Sequence, residues 1–270
     1  VKRTEQVYGH ASHGTMVLSC IAGKYGDTLV GLATGAEFLL ARTEMALAEP
    51  FSEEENWLAA VEWADKNGAD IINSSLGYTY NRYFNTEMDG RASLVAAAAN
   101  MAASKGMLVV NAAGNEGDNR WKKIGTPADA DSVLSVAGIA PYTDAHISFS
   151  SYGPTSDMRQ KPNVAALGSV IAAGEKKMTG SQGTSFASPL AAGFAACAWQ
   201  AAPGLSNMQL FHELEKSGHL YPYCDYAHGY GIPQGSYFTS PGINSCAGQT
   251  FHFVSVENVL NVIISDEFLG

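Results

Sequence analysis

Basic residues are few and nowhere clustered. The 270-residue chain has 16 lysines and arginines against 26 aspartates and glutamates, a formal charge of −10. Sequence-independent binding to nucleic acid or to an acidic membrane face needs a patch of cations to neutralise phosphates, so the composition argues against both functions. No apolar run reaches the roughly 18 residues of a membrane-spanning helix, and residues 1–20 lack the charged stretch followed by an apolar one that marks a leader. The four cysteines, Cys20, Cys197, Cys224 and Cys246, show no CxxC spacing, which argues against a zinc cage. Cys20 and Cys197 lie in SCIAG and AACAW, small-residue helical contexts that suit buried free thiols. Cys224 and Cys246 sit in loop-like surroundings, where pairing and free thiols are equally open readings. No dense run of Asp and Asn marks a calcium loop, and there is neither an internal repeat nor a low-complexity tract. With 46% hydrophobic residues, the chain can bury one large core and is short for two full domains.

What is present alternates. FLLAR (38–42) reads as a short buried strand, and ENWLAAVEWADKNG as a helix with Trp57, Leu58 and Val61 on one face and Gly68 closing it. ADIINSSLG is a strand ending in Gly77. RASLVAAAANMAASKG is an alanine-rich helix closed by Gly106, MLVVNAAGN a strand that breaks at Gly114, and SVLSVAGIA another strand. This order predicts an α/β fold, a mostly parallel sheet flanked by helices on both faces. In such sheets the active site lies beyond the carboxyl ends of the strands. That rule selects Ser75-Leu76-Gly77 and Ala113-Gly114-Asn115 before any motif is consulted. YTYNRYFNTEMDGR (78–91) has no clear period and reads as a surface loop beside the site.

A third element, GSQGTSFASPLAAGFAACAWQAAPG, places Ser185 at the start of a long helix, where unpaired N–H groups and the helix dipole stabilise negative charge. Pro189 falls close to that start. At the other end of the chain, YGHASHGTMVLS carries two histidines ahead of an apolar helical run.

Taken together, HGTMVLS, NAAGNEG and GTSFASP, in this order, resemble the subtilases, the subtilisin-like serine proteases. The resemblance runs from about Gly9 to about Pro233, where GYGIPQ is similar to that domain's closing segment. It implies a serine endopeptidase working through an acyl-enzyme, with Ser185 as nucleophile and His13 as general base. Asn115 matches the side chain that donates to the oxyanion together with the Ser185 N–H. Ser75, Leu76 and Gly77 match the edge to which a peptide substrate adds as an extra strand. Ala113 and Gly114 match the lining of the primary specificity pocket. Gly125, just before Thr126-Pro127, would lie near its floor and leave room for a large apolar side chain. His10 falls outside the motif, and His146, His212, His219, His228 and His252 have no ligand-like spacing. The family frequently binds structural calcium; its chemistry needs no cofactor. The resemblance also implies an extracellular or cell-envelope location.

One part is missing. In subtilases the carboxylate that orients the histidine comes first in the chain. Here every aspartate follows His13, and Glu5 is the single acid before it, too close to leave chain for a strand and a connection. The expectation is that Val1 is not the true beginning: an N-terminal fragment of the same precursor supplies the aspartate and the first strand. A degenerate subtilase that binds peptides without cutting them is the alternative, and retention of serine, histidine and asparagine together speaks against it. A lipase-type hydrolase is disfavoured because GTSFA lacks the GxSxG pattern. Residues 1–242 are thus expected to form the peptidase domain. Residues 243–270 form a short β-rich C-terminal extension, with Val259–Ile264 pairing back across Glu257-Asn258, or the front of a further domain.

Overall fold

The computed structural model describes residues 11–45, 49–174 and 176–239, together with the backbone of 251–256 and 259–264. Glu5, His10 and Cys246 lie outside the described residues.

Helix α1 (His13–Ala22) opens the described chain and leads into a small antiparallel ribbon, β1 (Lys24–Tyr25) and β2 (Thr28–Leu29). Helix α2 (Ser52–Lys66), β3 (Ile71–Ser74), α3 (Leu94–Ser104), β4 (Leu108–Ala112) and β5 (Val133–Ile139) then alternate as the sequence predicts. After them come β6 (Val164–Leu167), the antiparallel pair β7 (Ser169–Ala173) and β8 (Met178–Gln182), α4 (Thr184–Ala201), α5 (Asn207–Lys216) and α6 (Gly235–Thr239). Strands β9 (Phe251–Val256) and β10 (Val259–Ile264) form an antiparallel hairpin with Val256 opposite Val259.

The central sheet has the order β3-β4-β5-β6 and is parallel throughout. Its two inner strands, β4 and β5, are buried on both faces, and β4 shows how. Leu108 and Val110 face α4 and α5, packing with Ala187, Ala195, Leu210 and Leu214. Val109, one residue out of phase, packs on the opposite face with Trp57 of α2 and Val95, Ala99 and Ala102 of α3. Alanines of α3 and α4 are buried against the two faces of the sheet.

Both predicted helix stops are real. Gly68 (φ +74°) and Gly106 (φ +101°) lie one residue past the cap. Each N–H bonds back into the helix end while the following N–H, of Ala69 or Met107, reaches Ala64 O or Ala102 O, the paired bonds that close a helix.

Three expectations fail. FLLAR forms no strand: residues 38–42 have no ladder partners, and Phe38, Leu39 and Leu40 are 38%, 44% and 36% exposed. A strand needs a neighbour to pair with, and the sheet as described ends at β3. Segment 78–91 is more than a surface connection, because Tyr78 and Met88 are buried and an antiparallel bridge joins Tyr78 to Thr126. Cys197 is exposed, with its thiol against Leu32 O, whereas Cys20 is buried and free as expected.

Candidate active site

The carboxyl ends of β3 and β4 converge on the first turn of α4. There Pro189 decides the local geometry. It has no N–H, so the carbonyl four residues back, that of Ser185, loses its intrahelical partner. The hydroxyl of Ser75, one residue beyond β3, donates to that carbonyl at 2.8 Å. In return the Ser185 hydroxyl donates to Ser75 O at 3.3 Å. This reciprocal pair ties the serine at the helix start to the strand end, although 110 residues separate them.

Asn115 arrives from the end of β4. Its Oδ1 accepts from the Thr184 N–H at 2.9 Å and from the Thr184 hydroxyl at 3.0 Å. Both partners are donors, so the amide orientation is fixed and Nδ2 is left to donate outward. Gly183 (φ +145°) stands beside it: a Cβ there would lie 3.7 Å from both Asn115 Nδ2 and Ser185 N. A side chain would fill the space these two N–H donors share, and would strain a backbone that glycine alone adopts freely.

The other predicted residues form the walls. Asn111, fully buried in β4, donates from Nδ2 to Leu76 O at 3.0 Å and so holds the Ser75–Gly77 segment in place. Gly114 N donates to Thr184 Oγ1 at 3.3 Å, and Gly125 N to Ala113 O at 3.4 Å. Gly77 is exposed, whereas Gly125 and Ala113 are buried. A Cβ on Gly125 would lie 2.9 Å from Tyr78 O and from Thr79 Cγ2. The close passage of that backbone, rather than free volume, is what requires glycine at 125.

His13 begins α1 and lines the same cavity as Ser185, Ser75 and Leu76. Its ring meets the ring of Phe186 edge-on, with centroids 6.1 Å apart. The Ser185 hydroxyl is turned to Ser75 O rather than to the imidazole. Partial desolvation lowers the His13 pKa, and no carboxylate among the described residues acts on it. The cavity measures about 1460 Å³. It extends from this catalytic-looking mouth along the free edge of β3, between Ile71–Ser74 on one side and Phe38–Arg42 on another, over Trp57 and Val61 of α2.

Residues 1–231 match the family model described as Subtilase family. The chain belongs to the subtilases. Among curated relatives it is 31% identical over 211 residues to Subtilisin NAT of Bacillus subtilis subsp. natto, covering 77% of this chain and 50% of that protein. It is 30% identical over 210 residues to the Minor extracellular protease Epr of Bacillus subtilis (strain 168), covering 76% of this chain and 29% of that protein. The chain thus spans half or less of the length of these two relatives. Among solved structures, the S41 Psychrophilic Protease superposes with a TM-score of 0.69 at 25% identity, over 86% of this chain and 80% of that one.

As a subtilase site, this one contains three side chains that sequence reasoning passed over. Thr184 fixes Asn115, Asn111 fixes Leu76, and the Ser75 hydroxyl, as distinct from its backbone, holds Ser185. Asn111 had a visible signal, a carboxamide inside an otherwise apolar strand. Among the described residues no group of three or more His, Cys, Asp or Glu side chains is arranged to hold a metal ion. No helix among them is long and apolar enough to cross a membrane.

Proposed function

We propose that this subtilase chain is a serine-type endopeptidase that hydrolyses peptide bonds through an acyl-enzyme. The observation that carries the reading is the meeting of Ser185, at a helix N-terminus, with an Asn115 amide whose oxygen is pinned and whose Nδ2 is free beside the Ser185 N–H. A peptide adds along Ser75-Leu76-Gly77 and takes up Ser75 O with its own N–H. That displaces the Ser185 hydroxyl toward His13, which accepts its proton as the oxygen attacks the scissile carbonyl. The oxyanion is received by Ser185 N–H and Asn115 Nδ2, and His13 then protonates the departing amine. Water repeats the sequence on the acyl-enzyme. Ala113, Gly114 and Gly125 belong to the wall that receives the side chain next to the cleaved bond.

The carboxylate that orients His13 comes, in this reading, from a segment outside these 270 residues, an N-terminal fragment of the same precursor docked as a strand along β3. The free edge of β3, the exposed Phe38–Leu40 and the cavity between them support it, since an unpaired parallel edge beside apolar side chains is a template for another strand. The substrates are proteins or peptides, and the location is extracellular or in the cell envelope, as the name of the Epr relative suggests for that protein. The test uses the whole protein with any flanking segments. Protein substrate should be cut, Ser185→Ala should abolish cutting, and cross-links from the β3 edge should reach an Asp-bearing peptide absent from this sequence. Cross-links confined to these 270 residues would refute the docked strand; unimpaired cutting by Ser185→Ala would refute the enzyme.

A further inference from the structure

Two polar side chains that meet beside the reactive serine have no part in the proposed reaction. Asn73 lies in β3, and Ser188 lies in α4, one residue before Pro189. Ser188 is fully buried, and its hydroxyl donates to Asn73 Oδ1 at 2.8 Å. A helix serine can return its proton to the carbonyl four residues back. This one instead gives it to a strand residue 115 positions earlier. Asn73 Nδ2 in turn donates to Ser75 Oγ at 3.4 Å, and Ser75 Oγ donates to Ser185 O at 2.8 Å.

The direction of this relay follows from Pro189. Because residue 189 has no N–H to offer, Ser185 O depends on the Ser75 proton. A hydroxyl carries one proton, so Ser75 Oγ can only accept from Asn73. The Asn73 amide must then present Nδ2 to Ser75 and Oδ1 to Ser188, and Oδ1 takes the Ser188 proton. With the amide reversed, Oδ1 would draw the Ser75 proton to itself and leave Ser185 O without its donor. Ser188 thus sets the amide, and the amide sets the Ser75 hydroxyl.

Substrate leaves the relay intact. In the proposed reaction the peptide N–H takes Ser75 O and releases the Ser185 hydroxyl toward His13, whereas the tether to Ser185 O comes from the Ser75 side chain. That tether fixes the peptide plane after Ser185, and with it the direction of attack and the place of the Ser185 N–H beside Asn115 Nδ2. We propose that Asn73 and Ser188 are positioning residues for the nucleophile: by aiming the Ser75 proton at Ser185 O, they hold the serine backbone still while its own hydroxyl is free to turn. Neither touches the substrate or the reacting atoms, so their loss falls on kcat rather than on KM. This inference rests on the endopeptidase reading and adds to it how the nucleophile is held.

The test is steady-state cleavage of one peptide by the whole protein, with the thermal unfolding of every variant recorded. Asn73→Asp keeps the side-chain shape but replaces the Nδ2 donor with an acceptor, which pulls the Ser75 proton away from Ser185 O. Its kcat should fall by about tenfold or more with KM little changed, the scale on which a small misplacement of reacting groups acts. Ser188→Ala lets the Asn73 amide reverse and should lower kcat severalfold; it decides the matter if the first variant does not fold. In a Ser75→Ala background no tether remains to be aimed, so Asn73→Asp should have little further effect on kcat. Gly106→Ala, which strains only the end of α3, should keep the natural kcat. A natural kcat in either folded relay variant, a loss carried by KM alone, or an equal fall in Gly106→Ala would overturn this inference and leave the endopeptidase reading intact. Full additivity of Ser75→Ala and Asn73→Asp would do the same. Failure of the natural protein to cleave any peptide, with no phosphonyl label on Ser185, would overturn both.

Discussion

Pro189 removes the amide hydrogen that would otherwise bond Ser185 O, and Ser75 supplies a hydroxyl in its place. Ser75→Ala should leave that carbonyl unpaired and cost about 1 kcal/mol of stability. Pro189→Ala restores the N–H, so the double variant should recover much of the loss; urea titrations of the four proteins form the cycle that measures it. Additive losses would show that the two groups do not share the carbonyl. Asn115→Ala should lower kcat by about 10²- to 10³-fold with little change in KM, the scale of the loss when a subtilisin is stripped of its oxyanion-binding asparagine. Steady-state kinetics on one peptide check it. A rise in KM alone would assign Asn115 to ground-state binding. At this scale the sequence was informative about Ser185, Asn115 and Ser75, because strand ends and helix starts can be read from glycines and periodicity. It was silent about Thr184 and Pro189 as holders of their neighbours, since those bonds join residues 69 apart or arise from a missing hydrogen.

Gly106 shows what an element boundary costs. Its φ is +101° and a Cβ would meet nothing within 4 Å, so any penalty for a side chain comes from the backbone alone. Gly106→Ala should therefore lower stability by about 1 kcal/mol without altering the packing of α3. A shifted urea midpoint with an unchanged slope would show it; no shift would contradict the assignment. Helices α2, α3 and α4 and the parallel strands β3, β4 and β5 were legible because each carries a helical period closed or opened by glycine, or a buried apolar run. FLLAR carries the same signal and yet stays unpaired and partly exposed. Hydrophobic pattern states what a segment needs, but pairing depends on whether the partner strand is supplied. Segment 78–91 misled for the opposite reason. Its polar letters suggested a solvated loop, whereas Arg82 is drawn inward by Glu53 and Glu54, 29 and 28 residues earlier, a pairing without local signature.

For the whole molecule, the sheet divides the core into two faces, and Lys161 is buried at its margin. It is 2% exposed, its ammonium donates to Val133 O and to Asn163 Oδ1, and burial pushes its pKa down to about 7. In the unfolded chain a lysine titrates near 10.4. Between these values the unfolded state holds a proton that the native state has released, so this group makes stability rise with pH across that window. Below about 7 both states are protonated, and the native state carries the full cost of a buried cation. The stability of the natural protein minus that of Lys161→Met should thus increase between about pH 6 and about pH 9. A flat difference in urea titrations would contradict it. No composition or periodicity pointed to this lysine, because KPN at 161–163 reads as a turn and the acids that balance it, Asp129 and Glu215, lie far away in the chain.

The central claim is that Ser185 is an activated nucleophile. The most direct measurement is reaction of the whole protein with a phosphonylating serine-hydrolase probe, followed by peptide mapping. The account predicts one equivalent of label on Ser185, with labelling lost in His13→Ala while that variant retains its thermal unfolding profile. An unlabelled Ser185 in folded protein shown to contain an Asp-bearing strand beside β3 would contradict it.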